Sequence, residues 1–173
     1  MDNTIQINSI KRKIGTLETI LGIKTVNDAI SDFSDVEGNF AQFCKPLLGL
    51  PVSEMDSKYY FTSFENWQKI TETINPITEE IPWTPERKDC DKRAMFVTAM
   101  VSFYFGINTC RPVYYDVYRV GDGKFAFAHY ANVFVDTDNN AWLWDADEFG
   151  KITKITAQNP VIGNKRYFLK AIR

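Results

Sequence analysis

The sequence contains one histidine and three cysteines in 173 residues, and this scarcity excludes several kinds of site. A single imidazole rules out a zinc site that one chain builds from two or three histidines. The patterns HExxH, GxSxG, GxxxxGKS/T and GxGxxG do not occur, so the markers of zinc proteases, α/β-hydrolases, P-loop proteins and dinucleotide-binding enzymes are missing. The cysteines, Cys44, Cys90 and Cys110, are odd in number and far apart, which favours reduced thiols in a reducing compartment.

Long apolar runs and an excess of one charge are also absent. No run approaches the roughly 20 residues that a helix needs to span a bilayer. The first four residues carry neither the basic nor the apolar segment of a secretory signal. With 20 Lys and Arg against 22 Asp and Glu, the net charge of −2 provides no electrostatic surface for nucleic acid. We therefore expect a cytoplasmic protein that is not exported by a signal peptide and has neither a membrane nor a nucleic-acid partner.

The N-terminal part of the chain has the pattern of an amphipathic helix. Apolar side chains recur at steps of three and four residues, namely Ile7, Ile10, Ile14, Leu17 and Leu21. A second helix is predicted to begin after Thr25. We assign residues 1–48 to an N-terminal helical element and residues 49–173 to an α+β domain. The first helix either docks on its own domain or serves self-association or attachment through residues 1–24.

The middle of the chain predicts two more helices. Apolar and aromatic residues at helical spacing over residues 59–74 predict a helix that Pro76 ends. A second helix starts either at Thr84-Pro85 or at Asp89, and it ends at Gly106. Its residues 94–105 are nearly all apolar, which predicts a central, buried helix.

The last third of the chain reads as antiparallel strands. Alternating or apolar runs separated by turn residues predict strands at residues 113–120, 125–135, 141–145, 152–155 and 167–172. The fold class is therefore α+β, with N-terminal helices and a central buried helix packed on an antiparallel β-sheet.

Three residues in this layout have the chemistry of a cysteine nucleophile and its partners. Cys90 lies at the start of the apolar helix, where free N–H groups and the helix dipole lower the pKa of a thiol and hold an oxyanion. His129 lies on the second strand and Asp145 ends the third. If the turn is centred near residue 138, positions whose numbers add to about 275 face each other, and 129 and 145 add to 274. The two side chains should therefore lie opposite one another, with Asp145 orienting the imidazole.

This order, a cysteine at a helix start, a histidine on a strand and an aspartate on the next strand, resembles the papain-like superfamily in its transglutaminase-core arrangement. Residues 89–94, with the sequence DCDKRA, are similar to the Cys-Asp-Asp-Phe-Ala type of element in that superfamily. The chain looks closest to the papain-like domain of fungal agglutinins and to phage-encoded proteins with the same core. The resemblance covers residues 83–147.

The resemblance implies a papain-like domain with a Cys90–His129–Asp145 triad, and we expect no cofactor. It implies acyl transfer on a protein or peptide substrate, by peptide or isopeptide hydrolysis or by transamidation. Trp83 would offer its indole N–H to the oxyanion, as a Trp does in some relatives. This chain has His129-Tyr130-Ala131 where transglutaminase cores often have His-Ala-Trp, and it has an aspartate where the agglutinin domains use a glutamate.

Each of these residues also has a structural interpretation. Cys90 and His129, each taken alone, are typical of core residues, and Trp83 is typical of a side chain packed under the helix start. Asp147 or Glu148 are alternatives to Asp145 as the third member. The basic side chains that flank Cys90 either stabilise its thiolate or form a solvated helix start; they are Arg87, Lys88, Lys92 and Arg93.

Two further alternatives stay open. Residues 136–140, with the sequence DTDNN, begin like a calcium loop but lack the glycine at the sixth position and the glutamate at the twelfth. A hairpin turn accounts for the same residues, and calcium use by the agglutinins leaves calcium as a weak candidate cofactor. In the alternative function, a catalytically silent module acts as a structural or interaction protein, for example a phage virion component.

Overall fold

The structure, a computed structural model, describes residues 34–37, 40, 45–47, 49–52, 56–82, 84–85, 89–148 and 150–172. The two helices predicted before residue 34 lie outside these ranges. So do Cys44, Trp83, Arg87 and Lys88.

The described residues form two α-helices, one short 3₁₀ helix (Lys45–Leu47) and eight strands. The helices are α1 (Phe64–Glu79) and α2 (Cys90–Phe105). The strands are β1 (Ser34–Glu37), β2 (Lys58–Phe61), β3 (Cys110–Arg119), β4 (Phe125–Val135), β5 (Ala141–Asp145), β6 (Lys151–Ile155), β7 (Val161–Ile162) and β8 (Lys165–Ile172). The α+β class is confirmed.

The strands form one six-stranded antiparallel sheet and one two-stranded sheet. The order in the larger sheet is β6-β5-β4-β3-β8-β7, and β1 pairs with β2. The sequence predicted the bounds of β4 and β5 as the structure has them. The predicted alternation of side chains in β3 is also confirmed, because Val113, Tyr115 and Val117 are all buried on one face of the sheet.

Each face of the six-stranded sheet covers its own hydrophobic cluster. The odd-numbered residues 113–117 of β3 and 131–135 of β4 pack into the first cluster, with Phe40, Tyr59 and Leu169 among its members. Cys110, Phe134 and Trp144 point to the other face and pack in a second cluster; its helical members are Trp67, Ile70, Ile74, Val97, Val101 and Phe105. Both helices therefore lie on the same face of the sheet.

The helix predicted over residues 59–74 is wrong at both ends. Residues 58–61 alternate between exposed and buried and form β2. Helix α1 starts at Phe64 after Ser63, whose hydroxyl accepts from the N–H of Asn66. It continues through Pro76 to Glu79. Pro76 has no N–H to bond the carbonyl of Glu72, but the helix continues for one more turn, and the N–H of Glu80 bonds the Pro76 carbonyl.

Helix α2 starts at the second of the two predicted sites and is less buried than predicted. Asp89 is its N-cap residue, and Gly106 ends it in the left-handed conformation, with φ 68°. The outer face carries Met95 and Phe103, which are 49% and 73% exposed. The prediction of a central, buried helix is therefore wrong. The helix packs on one sheet face only, and its outward residues happen to be apolar as well.

Residues on both sides of the predicted boundary at residue 48 contribute to the described fold. Strand β1 pairs with β2, and Phe40 and Leu47 are buried in the first cluster. Because residues 1–33 lie outside the described ranges, the division into two domains stays a prediction. In the described part of the chain, no helix combines the length and the apolar character that a bilayer crossing needs.

Substituting Gly150 by alanine should destabilise the fold more than the same change at Gly106. Both residues have left-handed φ values, 66° and 68°, so each variant carries a strain of about 1–2 kcal/mol. A Cβ at Gly106 meets open space, whereas one at Gly150 would collide with the side-chain amide of Asn75. The Asn75 side chain accepts from Nε1 of Trp144, and its displacement leaves that buried donor unpaired.

The loss of this bond should add about 1–3 kcal/mol to the cost of Gly150→Ala. Urea unfolding of the two variants measures the difference directly, since the backbone strain is common to both. Equal losses in the two variants would contradict the packing of Asn75 against Gly150.

Candidate active site

His129 and Asp145 lie side by side on β4 and β5. The Nε2 atom of His129 is 3.3 Å from Oδ1 and 3.2 Å from Oδ2 of Asp145. Their contact agrees with the prediction, but the register that produces it does not. Paired positions add to 276, as in Val133 opposite Leu143, and the β4–β5 ladder ends at Asn132 opposite Trp144. His129 therefore meets Asp145 diagonally beyond the end of the ladder, on the same sheet face, because same-face residues recur every two positions.

Several donors hold the Asp145 carboxylate in place. The backbone N–H groups of Asp147 and Glu148 donate to Oδ1 at 3.0 and 3.3 Å, and the hydroxyl of Tyr115 donates to Oδ2 at 3.1 Å. Burial opposes ionisation of this carboxyl, but the hydrogen bond and charge of His129, followed by the other donors, lower its pKa below the ordinary value. Asp145 is thus an ionised partner for the imidazole at neutral pH.

The pKa of His129 is raised. Burial alone disfavours the charged ring, but the hydrogen bond to Asp145 and the charges of Asp145, Asp147 and Glu148 outweigh burial. Because Nε2 faces Asp145, Nδ1 is the ring nitrogen left for proton exchange with another group.

Asp147 is a second carboxylate beside the ring. Its Oδ2 atom is 3.9 Å from Nε2 of His129, farther than either oxygen of Asp145. Its Oδ1 atom accepts from the guanidinium of Arg93, which also donates to the carbonyl of Ile81. Asp145 is therefore the better-placed third member. Arg93 is 12% exposed at its side chain, so the prediction of a solvated helix start is wrong at this residue.

Cys90, the first residue of α2, is half-buried. It lines a narrow pocket, too tight to admit a water molecule, with Tyr130, Asp145 and Asp147 among the other lining residues. Burial raises the pKa of the Cys90 thiol, and the charges of Asp147 and Asp89 raise it further, against backbone hydrogen bonds of Tyr130 and Asp91 that lower it. The lowered pKa expected from the helix start is therefore not found, because burial and two acidic neighbours outweigh the N–H groups.

Cys90 and His129 belong to opposite faces of the sheet. On β4, Asn132 faces α2, since its Nδ2 atom donates to the carbonyl of Ala94 at 2.8 Å and to Oγ1 of Thr98 at 2.9 Å. His129 has the opposite parity and stacks edge-on against Tyr115 in the other layer. Among the described contacts, the thiol is bonded to backbone groups and the imidazole to Asp145, so the structure does not join the two by a hydrogen bond. They share Asp147 as an electrostatic neighbour, at the point where β4 and β5 separate.

Two groups of acidic residues bear on the question of a metal. The side chain of Asp136 accepts from the backbone N–H groups of Asp138 and Asn140 and from Nε1 of Trp142, so the predicted hairpin turn accounts for the calcium-like sequence. One ligand atom each of His129, Asp145 and Asp147 lie within 4.8 Å of one another, a spacing that a metal ion can bridge. A metal ion there would compete with Arg93 and with the imidazole for the two carboxylates.

Sequence reasoning missed Tyr115 and the role of Arg93. Tyr115 pairs directly with His129 across β3 and β4, a relation that the sequence shows only once the register is known. Arg93 was noted for its position beside Cys90, but its partner Asp147 is distant in sequence. Trp83, the predicted oxyanion donor, lies outside the described residues.

Comparison of the chain with protein-family models finds no match, and comparison with curated protein sequences finds none either. The case for a function therefore depends on the geometry of the site itself.

Replacing Asp145 with asparagine should lower the pKa of His129. The amide removes the negative charge while the ring stays buried, and burial then dominates. Because His129 is the sole histidine, one-dimensional or heteronuclear NMR titration of its ring signal gives this pKa without assignment. Asp138→Asn, in the exposed hairpin turn, is the matched control and should leave the titration unchanged. An unaltered pKa in Asp145→Asn would contradict the ion pair.

The same pair should make stability depend on pH. The folded-state pKa of His129 lies above its ordinary 6.5, so its contribution is complete below 6.5 and is lost as the pH rises through the folded value. The folded-state pKa of Asp145 lies below its ordinary 3.8, so its contribution is present above 3.8 and is lost as the pH falls through the folded value. The free energy of unfolding, measured with denaturant between pH 3 and 8, should depend less on pH in Asp145→Asn than in the parent protein.

Proposed function

We propose that this protein is a papain-like cysteine enzyme that catalyses acyl transfer on a protein or peptide substrate. Cys90 is the nucleophile, His129 the base and Asp145 the orienting carboxylate. The observation that carries the proposal is the His129–Asp145 contact beside a pocket that Asp145 shares with Cys90 at the start of α2. A thiol, an imidazole and a carboxylate that orients it are the minimum set for this chemistry.

The residues define the order of proton transfers. The Nδ1 atom of His129 accepts the thiol proton while the Cys90 sulfur attacks the carbonyl carbon of the substrate, and the carbonyl oxygen becomes an oxyanion. The intermediate collapses to a thioester as His129 returns the proton to the leaving amine. Water, or a second amine, then attacks the thioester and regenerates the thiol. Hydrolysis and transamidation differ only in this last nucleophile.

The thiol must turn for the first step. In the resting structure it is bonded to the backbone of Tyr130 and Asp91, and the imidazole lies beyond the end of the β4–β5 ladder. Catalysis requires a movement that exchanges these backbone contacts for one between the thiol and Nδ1 of His129. Free N–H groups in the first turn of α2 would then stabilise the oxyanion, with Trp83 as the further donor that the family resemblance implies.

A second candidate is a catalytically silent interaction module, for example a component of a phage particle. The observation that favours it is the raised pKa of Cys90, because a protonated, backbone-bonded thiol is typical of a structural cysteine. In that case the predicted helix in residues 1–24 would provide attachment or self-association.

Alkylation by iodoacetamide should distinguish the two candidates. In the enzyme, Cys90 should react at pH 6, since only an imidazolium beside it can offset burial and the acidic neighbours that raise its pKa. The reaction should slow at least about tenfold in His129→Ala. Mass spectrometry assigns the label among the three cysteines, and Cys110, which is fully buried, is the internal control that reacts only on unfolding. Reaction of Cys90 only above pH 8 would favour the silent module.

Turnover is then measured on casein. Release of fluorescent peptides from labelled casein reports hydrolysis, and incorporation of a dansylated amine into casein reports transamidation. Either activity should disappear in Cys90→Ala and in His129→Ala, with circular dichroism as the check on folding. Activity that survives in both variants would exclude the proposed triad.

Deletion of residues 1–24 tests the silent module. An attachment or self-association role predicts that the full chain forms oligomers that the deletion abolishes, as sedimentation velocity would show. A full chain that sediments as a monomer, with no change on deletion, would count against this role.

A further inference from the structure

We propose that Tyr115 is a positioning residue of the site: its hydroxyl fixes the Asp145 carboxylate, and through it the imidazole of His129. The effect of Tyr115 on catalysis rests on the proposed function, but its effect on Asp145 and His129 is testable without any activity.

Three neighbouring strands each contribute one member of a closed group. Tyr115 on β3 pairs directly with His129 on β4. The two rings meet edge to face, with centroids 5.6 Å apart and planes at 76°. His129 contacts Asp145 on β5, and the Tyr115 hydroxyl reaches over to Oδ2 of Asp145 at 3.1 Å. The tyrosine therefore touches both partners of the pair from one side of the sheet.

The Tyr115 hydroxyl acts only as a donor in this arrangement. Tyr115 is 1% exposed, and burial, followed by the charge of Asp145, raises the pKa of its phenol well above the ordinary value. The phenol thus stays protonated wherever the protein is folded, and its single proton is directed at Asp145. The acceptor is a charged carboxylate, and at 3.1 Å the bond is longer than the roughly 2.5–2.7 Å of the strongest O–H···O⁻ bonds.

The bond matters because it secures the second carboxylate oxygen. Backbone N–H groups of Asp147 and Glu148 hold Oδ1, while the Tyr115 hydroxyl holds Oδ2. With separate donors on each oxygen, the carboxylate cannot rotate, and both oxygens stay near Nε2 of His129. Without the hydroxyl, only the turn after β5 would fix the carboxylate.

Asp145 is surrounded by ionisable groups from every neighbouring element. The charged and titratable groups that face it are Tyr115 from β3, His129 from β4, Asp147 and Glu148 from the following turn, Lys151 from β6, Tyr167 from β8, and Cys90 and Arg93 from α2. Of these, Tyr115 and His129 bond the carboxylate through their side chains. A change in the titration of Asp145 after removal of the Tyr115 hydroxyl alone is therefore attributable to that bond.

The test compares Tyr115→Phe with Tyr114→Phe. Tyr114 is the matched control, because it is the adjacent residue on β3 and its hydroxyl also donates to an aspartate, Asp116, outside the site. The NMR signal of the sole histidine is followed from pH 2 to 9. It should show its own titration and, at low pH, a second inflection when Asp145 takes up a proton. In Tyr115→Phe, the low-pH inflection should move up by about 0.5–1 pH unit, which is the effect of losing one hydrogen bond to a carboxylate.

The same variants are then assayed for activity on casein. Tyr115→Phe should lower kcat about tenfold or more with little change in KM, and it should shift the acid limb of the pH profile upward, whereas Tyr114→Phe should do neither. An unshifted low-pH inflection in Tyr115→Phe would overturn the inference, whatever the activity. If the inflection shifts but the protein has no activity, the role of Tyr115 in positioning Asp145 is supported and the proposed function is contradicted.

A measurement on the parent protein covers the case in which Tyr115→Phe does not fold. Labelling the tyrosine ring carbon that bears the hydroxyl with ¹³C makes each phenol visible, and proximity to the His129 ring identifies Tyr115. Its signal should move at the same pH as the low-pH inflection of His129, because both respond to protonation of Asp145. A Tyr115 signal that is indifferent to that inflection would overturn the inference.

Discussion

Alternation of side chains along β4 is the constraint on which the site depends. Successive residues of a strand point to opposite faces, so Ala131, Val133 and Val135 enter one hydrophobic cluster while Phe134 enters the other. Asn132 uses the helix-facing side to bond the Ala94 carbonyl and thereby ties α2 to the sheet. His129 has the parity of the first set and reaches Asp145 and Tyr115 on the far side. The strand thus holds the thiol-bearing helix on one face and the imidazole on the other, and its pairing with β5 ends at Asn132 and Trp144.

The acidic groups of the site each have a partner. The imidazole pairs with Asp145 and the Arg93 guanidinium pairs with Asp147, so two carboxylates, a guanidinium and a titratable imidazole occupy a half-buried space. Buried charges are tolerated only when they are paired and hydrogen-bonded, and both conditions are met for Asp145. Burial, followed by the charges of Asp147 and Asp89, raises the pKa of Cys90 although this residue begins a helix. An imidazolium nearer to the sulfur would reverse that balance.

Residue patterns with a local cause predicted the structure well. The bounds of β4 and β5, the burial of alternate residues in β3 and the end of α2 at Gly106 follow from periodicity and turn chemistry. The contact between His129 and Asp145 was also predicted. It forms although the two residues are not directly opposite, because residues two positions apart on a strand lie on the same face of the sheet. The failures have non-local causes. Helix α1 runs through Pro76, and Met95 and Phe103 are apolar without being covered. The partners Tyr115 and Arg93 depend on tertiary packing, which no spacing along the chain reveals.

Reaction of the Cys110 thiol can report how often the layer between the sheet and the helices opens. The thiol is fully buried at the start of β3, packed in the cluster between the sheet and the helices. A reagent can reach it only when this layer separates, so the rate of modification counts opening events in the way that amide exchange does. At low reagent concentration the rate reflects the equilibrium population of open molecules, and at high concentration it reflects the rate of opening itself. One cysteine remote from the chemistry thus makes both the stability and the lifetime of the fold measurable in the unmodified chain.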